Sequence, residues 1–132
     1  MALEFALVLP TLLLVAFGMI SINLAIYTMS AMQSAAQYAA LMGATGQAKS
    51  FHGMATQCSG SLSSTQVEYY ACQGLPTWAT FTVTATENCA TPSVSVSLSV
   101  NAEAAAVSDI FKILSGTTLT SSAVEMKQGT CP

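Results

Sequence analysis

Two hydrophobic periods divide this chain. From Ala2 to about Met42 apolar residues dominate and no helix stop intervenes, so the pattern predicts one long helix. Its first half, Phe5 to Ala25, is mostly apolar and long enough to cross a bilayer core of about 30 Å. Further on, Ile20, Leu24, Tyr27, Ala31, Ala35, Tyr38 and Met42 recur at three- and four-residue spacing, and Ser30, Gln33 and Gln37 form a polar stripe. That spacing predicts an amphipathic continuation whose apolar face packs on a folded domain, with simple packing as the role of its Met and Tyr side chains. A helix of about 40 residues measures roughly 60 Å. Gly43-Ala-Thr-Gly46 ends it and opens a loop carrying Lys49 and His52.

Beyond this loop the period changes to two. Ala79, Phe81, Val83 and Ala85 alternate with Thr80, Thr82, Thr84 and Thr86; Val94, Val96, Leu98 and Val100 alternate with Ser93, Ser95, Ser97 and Ser99. These are the marks of two half-buried antiparallel strands, joined by a turn over Glu87–Pro92. A weaker strand is expected over Gln66–Cys72, and a short amphipathic helix over Ser108–Leu114, ended by Gly116. A last strand is expected over Thr117–Lys127, its alternation slipping at Ser121–Ser122 as at a bulge. The apolar sheet face needs a partner, and the second half of the long helix supplies one. The predicted class is α+β: a long N-terminal hydrophobic helix with a small antiparallel β-sheet domain packed on its C-terminal half. The expected division is a membrane or filament-core helix over residues 1–45 and a β-rich globular domain over residues 46–132.

Composition sharpens this outline. Apolar residues make up 52% of the 132 and charged residues only 7%, against about 25% charged in ordinary soluble domains. With a net charge of −3 and three scattered lysines, the chain has no basic patch able to neutralise a nucleic-acid backbone. All four cysteines, Cys58, Cys72, Cys89 and Cys131, follow the apolar segment, as expected for disulfides in a small exported domain. Three pairings are open. The sequential one, Cys58–Cys72 with Cys89–Cys131, is favoured because it closes one short loop and ties down the C-terminal end. A zinc site is disfavoured by the lack of any C-x-x-C pair and by the single histidine, His52, read as a solvated loop residue. No nucleophile–base spacing, carboxylate pair or phosphate-binding glycine loop is present, so neither an enzyme nor a cofactor nor a small-molecule substrate is expected. The Ser and Thr rows read as solvated strand faces that could accept O-linked sugars, since Asn23, Asn88 and Asn101 lie in no N-x-[ST] sequon.

Charge placement singles out one residue. Residues 5–48 carry no formal charge, and Glu4 stands alone at the head of the run. A carboxylate costs about 2.5–3.5 kcal/mol at the centre of a membrane helix. The bland reading places Glu4 at headgroup depth in a signal anchor, but such anchors carry Lys or Arg on the cytoplasmic flank, and none is present. A cleaved signal peptide fits poorly, because the segment is too long and lacks both a positive n-region and a small-residue cleavage site. Pro10 and Gly18 interrupt the run, either as a tolerated kink or as a weak point where the helix bends or unwinds.

Ala2-Leu-Glu-Phe-Ala-Leu-Val-Leu-Pro10, the Leu-rich run and Gly18 resemble the opening of TadE-like pilins, in the tight-adherence branch of the type IV pilus superfamily. The strand pair, Ile-Phe-Lys-Ile-Leu and Leu119-Thr-Ser-Ser-Ala-Val are similar to the end of such domains; the Cys-bearing middle has no counterpart. The resemblance implies a subunit that a membrane prepilin peptidase cuts before the apolar segment. It is then held in the inner membrane, extracted by the pilus assembly machinery and polymerised into an extracellular filament. It implies pairing of Glu4 with the free amine of a neighbouring copy, Met1 in this numbering, fixing axial register. The family's Glu is usually the fifth residue of the processed chain and here is the fourth. Either one residue precedes Met1 or Met1 is an initiator and no leader was cut; the lack of a basic leader favours a processed chain. The alternatives are a minor pilin that initiates or tips the filament, or a membrane-anchored adhesion module.

Overall fold

A stripe of small side chains decides how the long helix meets the rest of the chain. The structure, a computed structural model, describes residues 1–105, 116–129 and 131. Helix α1 runs unbroken over Ala2–Ala44, 43 residues or about 65 Å. It ends where the backbone N–H of Thr45 donates to Leu41 O and that of Gly46 to Gly43 O, Gly46 taking φ +76°, the left-handed conformation that glycine adopts without strain. The buried side of α1 is Thr28, Met32, Ala35, Ala36, Ala39, Ala40, Gly43 and Ala44. This corrects the face expected from periodicity: Tyr27 and Tyr38 are exposed, and of the expected seven only Ala35 is fully buried. Alanines, with no side chain beyond Cβ, admit a sheet and a second helix at close range, and most bulky residues, Met32 excepted, are turned outward. Ser30, Gln33 and Gln37 are exposed as expected.

The closest approach is at Gly43, where an added Cβ would lie 2.9 Å from Val94 Cγ1 and 3.1 Å from Val67 Cγ2. Gly43→Val is therefore expected to destabilise the fold by about 1–3 kcal/mol through overpacking. Chemical denaturation of the detergent-solubilised chain measures this; an unchanged midpoint would show that the contact relaxes freely.

The described residues form a four-stranded antiparallel sheet in the order β1 (Thr56–Gln57), β2 (Thr82–Asn88), β3 (Ser93–Asn101), β4 (Thr118–Met126). Phe81, Val83, Ala85, Val94, Val96, Leu98 and Val100 are buried in the core that includes the α1 alanines, while the intervening Thr and Ser residues line the outer face. The predicted pair β2–β3 is present, with β2 starting three residues later than the alternation that begins at Ala79 and β3 starting at Ser93 as expected. The turn is shorter than expected because Asn88 Oδ1 accepts the backbone N–H groups of Ala90 and Thr91 at 3.0 and 3.4 Å, the local bonding that makes Asn a turn former.

Two expectations are corrected. Gln66–Cys72 is not a strand: helix α2 spans Val67–Gln73, with Val67, Glu68 and Ala71 buried. Burial at i, i+1 and i+4 is a helical face, and in so short a window the alternate reading Val67/Tyr69/Ala71 fits equally well. There is no bulge at Ser121–Ser122: the β3–β4 register is continuous from Ser93↔Met126 to Asn101↔Thr118. Ser121 simply takes an inward place between Leu119 and Ala123, on the strand that lies against α1, and Val124 and Met126 point out. A short helix α3, Ala102–Ala105, follows β3. The helix expected over Ser108–Leu114 lies outside the described residues.

Both favoured disulfides are formed. Cys58–Cys72 joins the residue after β1 to α2 (Cα–Cα 5.3 Å), and Cys89–Cys131 joins the β2–β3 turn to the C-terminal tail (5.7 Å). The tail is further held by the Lys127–Glu87 ion pair and by the Gln128 N–H donating to Ala44 O at 3.0 Å.

Candidate functional site

The lower half of α1 leaves its apolar surface uncovered. Leu3, Phe5, Leu7, Val8, Leu12, Phe17, Ile20 and Ile22 are all exposed, Leu3 at 79% and Phe5 at 68%. The most apolar stretch of α1 is only 6% buried within the chain. In water such a surface would be strongly unfavourable, since burial of apolar area is worth about 25 cal/mol per Å². A surface of this kind calls for an apolar covering that the described residues do not supply. One side offers a shallow, wholly apolar groove of about 400 Å³ lined by Val8, Thr11, Leu12, Val15, Ala16 and Met19. Its residues fall at three- and four-residue spacing, the geometry that receives a ridge of another helix.

Glu4 sits in the first turn of α1, exposed, with Met1 as the N-terminal cap residue. A carboxylate there is favoured by the helix dipole. Among the described residues it has no hydrogen-bond or ion-pair partner. Pro10 lies inside the helix and Gly18 farther along it, and α1 continues through both. Pro10 supplies no N–H to the Ala6 carbonyl, so one rung of the ladder is missing.

Residues 1–41 match the family model for TadE-like protein. No curated protein and no solved structure matches the chain. The TadE-like segment contains Glu4, Pro10, Gly18 and the entire uncovered surface, and stops as α1 enters its last turn. The match is consistent with the TadE-like pilin resemblance read from the same residues.

The rest of the molecule has different chemistry. On the outer sheet face Thr82, Ser99 and Thr120 form one cross-strand row and Thr84, Ser97 and Ser122 a second, bordering a shallow depression of about 360 Å³. Thr86 and Ser95 hydroxyls meet at 2.6 Å. This is an uncharged hydroxyl surface. Glu87, Cys89 and Cys131 lie close together, but both sulfurs are consumed in the disulfide and the carboxylate pairs with Lys127. That leaves no ligand set for a metal. His52 is exposed, as expected; its backbone N–H donates to Glu68 Oε1 at 2.7 Å.

Sequence reasoning missed Glu68, which is fully buried with Oε2 unpartnered among the described residues. It also missed Trp78, whose ring lies 6.0 Å from that of Tyr27. For Glu68 the helical spacing with Val67 and Ala71 was a usable signal. For Trp78 the signal was its being the single tryptophan of the chain.

Proposed function

We propose that this protein is a structural subunit of a Tad-like pilus, polymerising through α1 into an extracellular filament. Association with the Tad pilus system rests on the TadE-like match over residues 1–41. The observation behind polymerisation is the bare stem: a long apolar surface with a single unpartnered carboxylate at its tip. In this reading α1 first spans the inner membrane, where a prepilin peptidase has processed the chain, and the assembly machinery then transfers it into a bundle of identical helices. Glu4 meets the α-amino group that begins a neighbour's chain, Met1 in the present sequence. Relief of two buried charges then fixes the axial register, a well-attested use of buried polar groups. Pro10 and Gly18 provide the segment where α1 bends or unwinds in the bundle. Residues 1–45 form the filament core and 46–132 the surface domain, stacked by head-to-tail contacts that do not close on themselves.

A second reading, a membrane-anchored adhesion module, is supported by the hydroxyl face of the sheet, which presents a contiguous polar surface to solvent. Electron microscopy of material sheared from the cell surface, with antibody against the β-rich part, separates the two. Labelled filaments are the expected result. A chain confined to membrane fractions would favour the adhesion module.

A further inference from the structure

Trp78 belongs to the loop between α2 and β2, is 44% exposed, and stacks at a tilt on Tyr27, itself 59% exposed. Its indole Nε1 donates to the Ala105 carbonyl at 3.3 Å, and the Thr28 hydroxyl, whose one proton is shared with the Leu24 carbonyl at 2.8 Å, reaches the same oxygen at 3.2 Å. One oxygen therefore holds the loop, the end of α3 and α1 together at the height of Tyr27 and Thr28. Thr28 is also the first buried residue of α1, so this junction is the underside of the packed part, where the bare stem emerges. The run Phe5–Leu24 covers the roughly 30 Å of a hydrocarbon core, and Tyr27 lies three residues, about 4.5 Å, beyond it. That height is the headgroup layer. Trp and Tyr concentrate there because each has an apolar body and a polar tip.

We infer that Tyr27 and Trp78 form an interfacial foot, which seats the packed part of the molecule on the headgroup layer of the bilayer that α1 spans. The inference rests on the reading that the stem spans a membrane before assembly. Because Tyr27 belongs to the helix and Trp78 to a loop of the packed part, the foot fixes both the height of that part and its rotation about α1. Both rings keep exposed surface for lipid while the indole N–H is already bonded to Ala105.

The single tryptophan serves as its own depth gauge. The full-length chain is reconstituted into phosphatidylcholine vesicles, flotation reports insertion, and tryptophan emission is read with lipids brominated near the headgroup or near the chain terminus. Trp78 is expected to be quenched about twofold more strongly by the shallow label than by the deep one. Tyr69→Trp in a Trp78→Phe background provides the comparison. Tyr69 stacks on Tyr70, which in turn meets Tyr38, eleven residues or about 16 Å farther up α1; this reporter is expected to be unquenched by either lipid. A chain that floats with the vesicles while Trp78 escapes quenching overturns the foot and leaves the spanning stem standing. Equal quenching at both positions overturns it too, because the packed part would then lie flat on the membrane. A chain that fails to float overturns the spanning reading and the foot with it.

Discussion

Replacing Glu4 with alanine is expected to abolish filament assembly while leaving the chain inserted in the membrane. The two outcomes separate because the carboxylate does different things in the two settings. At the end of α1 it is exposed and can sit at headgroup depth, so removing it does not weaken insertion and slightly eases it. Inside a bundle of helices it would be the neutralising partner of a neighbour's amine. Loss of one partner from a buried pair leaves an uncompensated charge that costs about 3–5 kcal/mol, or roughly a hundred- to several-thousand-fold in each assembly equilibrium. Repeated at every subunit, that is enough to prevent growth. Glu4→Gln refines the test, because it keeps the size and hydrogen-bonding capacity but not the charge; the charge-pair reading expects it to fail as alanine does. Carbonate-resistant membrane association and negative-stain microscopy of sheared filaments are the two readouts. Normal filaments from either variant would overturn the register role of Glu4.

How much of this molecule could be read in its residues differs from element to element. The long helix, the β2–β3 pair and the pairing of the cysteines were legible because each rests on a strong local pattern: an uninterrupted apolar run, strict alternation over seven or more residues, and loop lengths that suit sequential closure. The packing face of α1 was not. Periodicity finds large apolar residues, whereas the face in use is made of Ala35, Ala36, Ala39, Ala40 and Gly43, chosen for what they lack. The bulky residues left over are the ones presented outward, so the hydrophobic pattern of this helix reports mainly on surroundings outside the chain. The same inversion explains β4, where Val124 and Met126 are exposed and Ser121 faces inward. It also explains α2, whose identity depends on tertiary partners: the Val67 N–H donates to Ser50 O, and Glu68 receives the His52 N–H. Glu4, Pro10 and Gly18 were legible as oddities within an apolar run, but the role proposed for Glu4 needs a second copy and so leaves no trace in a single chain.

Removing the Cys89–Cys131 disulfide is expected to destabilise the packed part more than removing Cys58–Cys72, although both bridges tie loops near the surface. The first closes a separation of 42 residues and the second one of 14. In the chain-entropy account these correspond to about 4 and about 3 kcal/mol. The structure widens the gap. The longer loop contains β3, α3 and β4, and β4 is an edge strand paired on one side only. Once the bridge is cut, the tail beyond β4 is held, among the described residues, by the Lys127–Glu87 pair and by the Lys127 and Gln128 N–H groups donating to Pro92 O and Ala44 O; isolated contacts of these kinds contribute about 1 kcal/mol each. Hydrogen exchange in the detergent-solubilised Cys89→Ala/Cys131→Ala variant should therefore show β4 amides opening ahead of those in β2 and β3. In the Cys58→Ala/Cys72→Ala variant the early opening should be confined to α2 and the segment around β1. Denaturation midpoints of the two variants test the ranking directly. If the shorter loop proved the costlier to lose, native contacts around Cys58 and Cys72, rather than chain entropy, would set the contribution of these bridges. With most of α1 bare, the packed part has a limited core. Among the described residues β4 has no further strand beyond it, and the Cys89–Cys131 bridge ties down the tail that follows it.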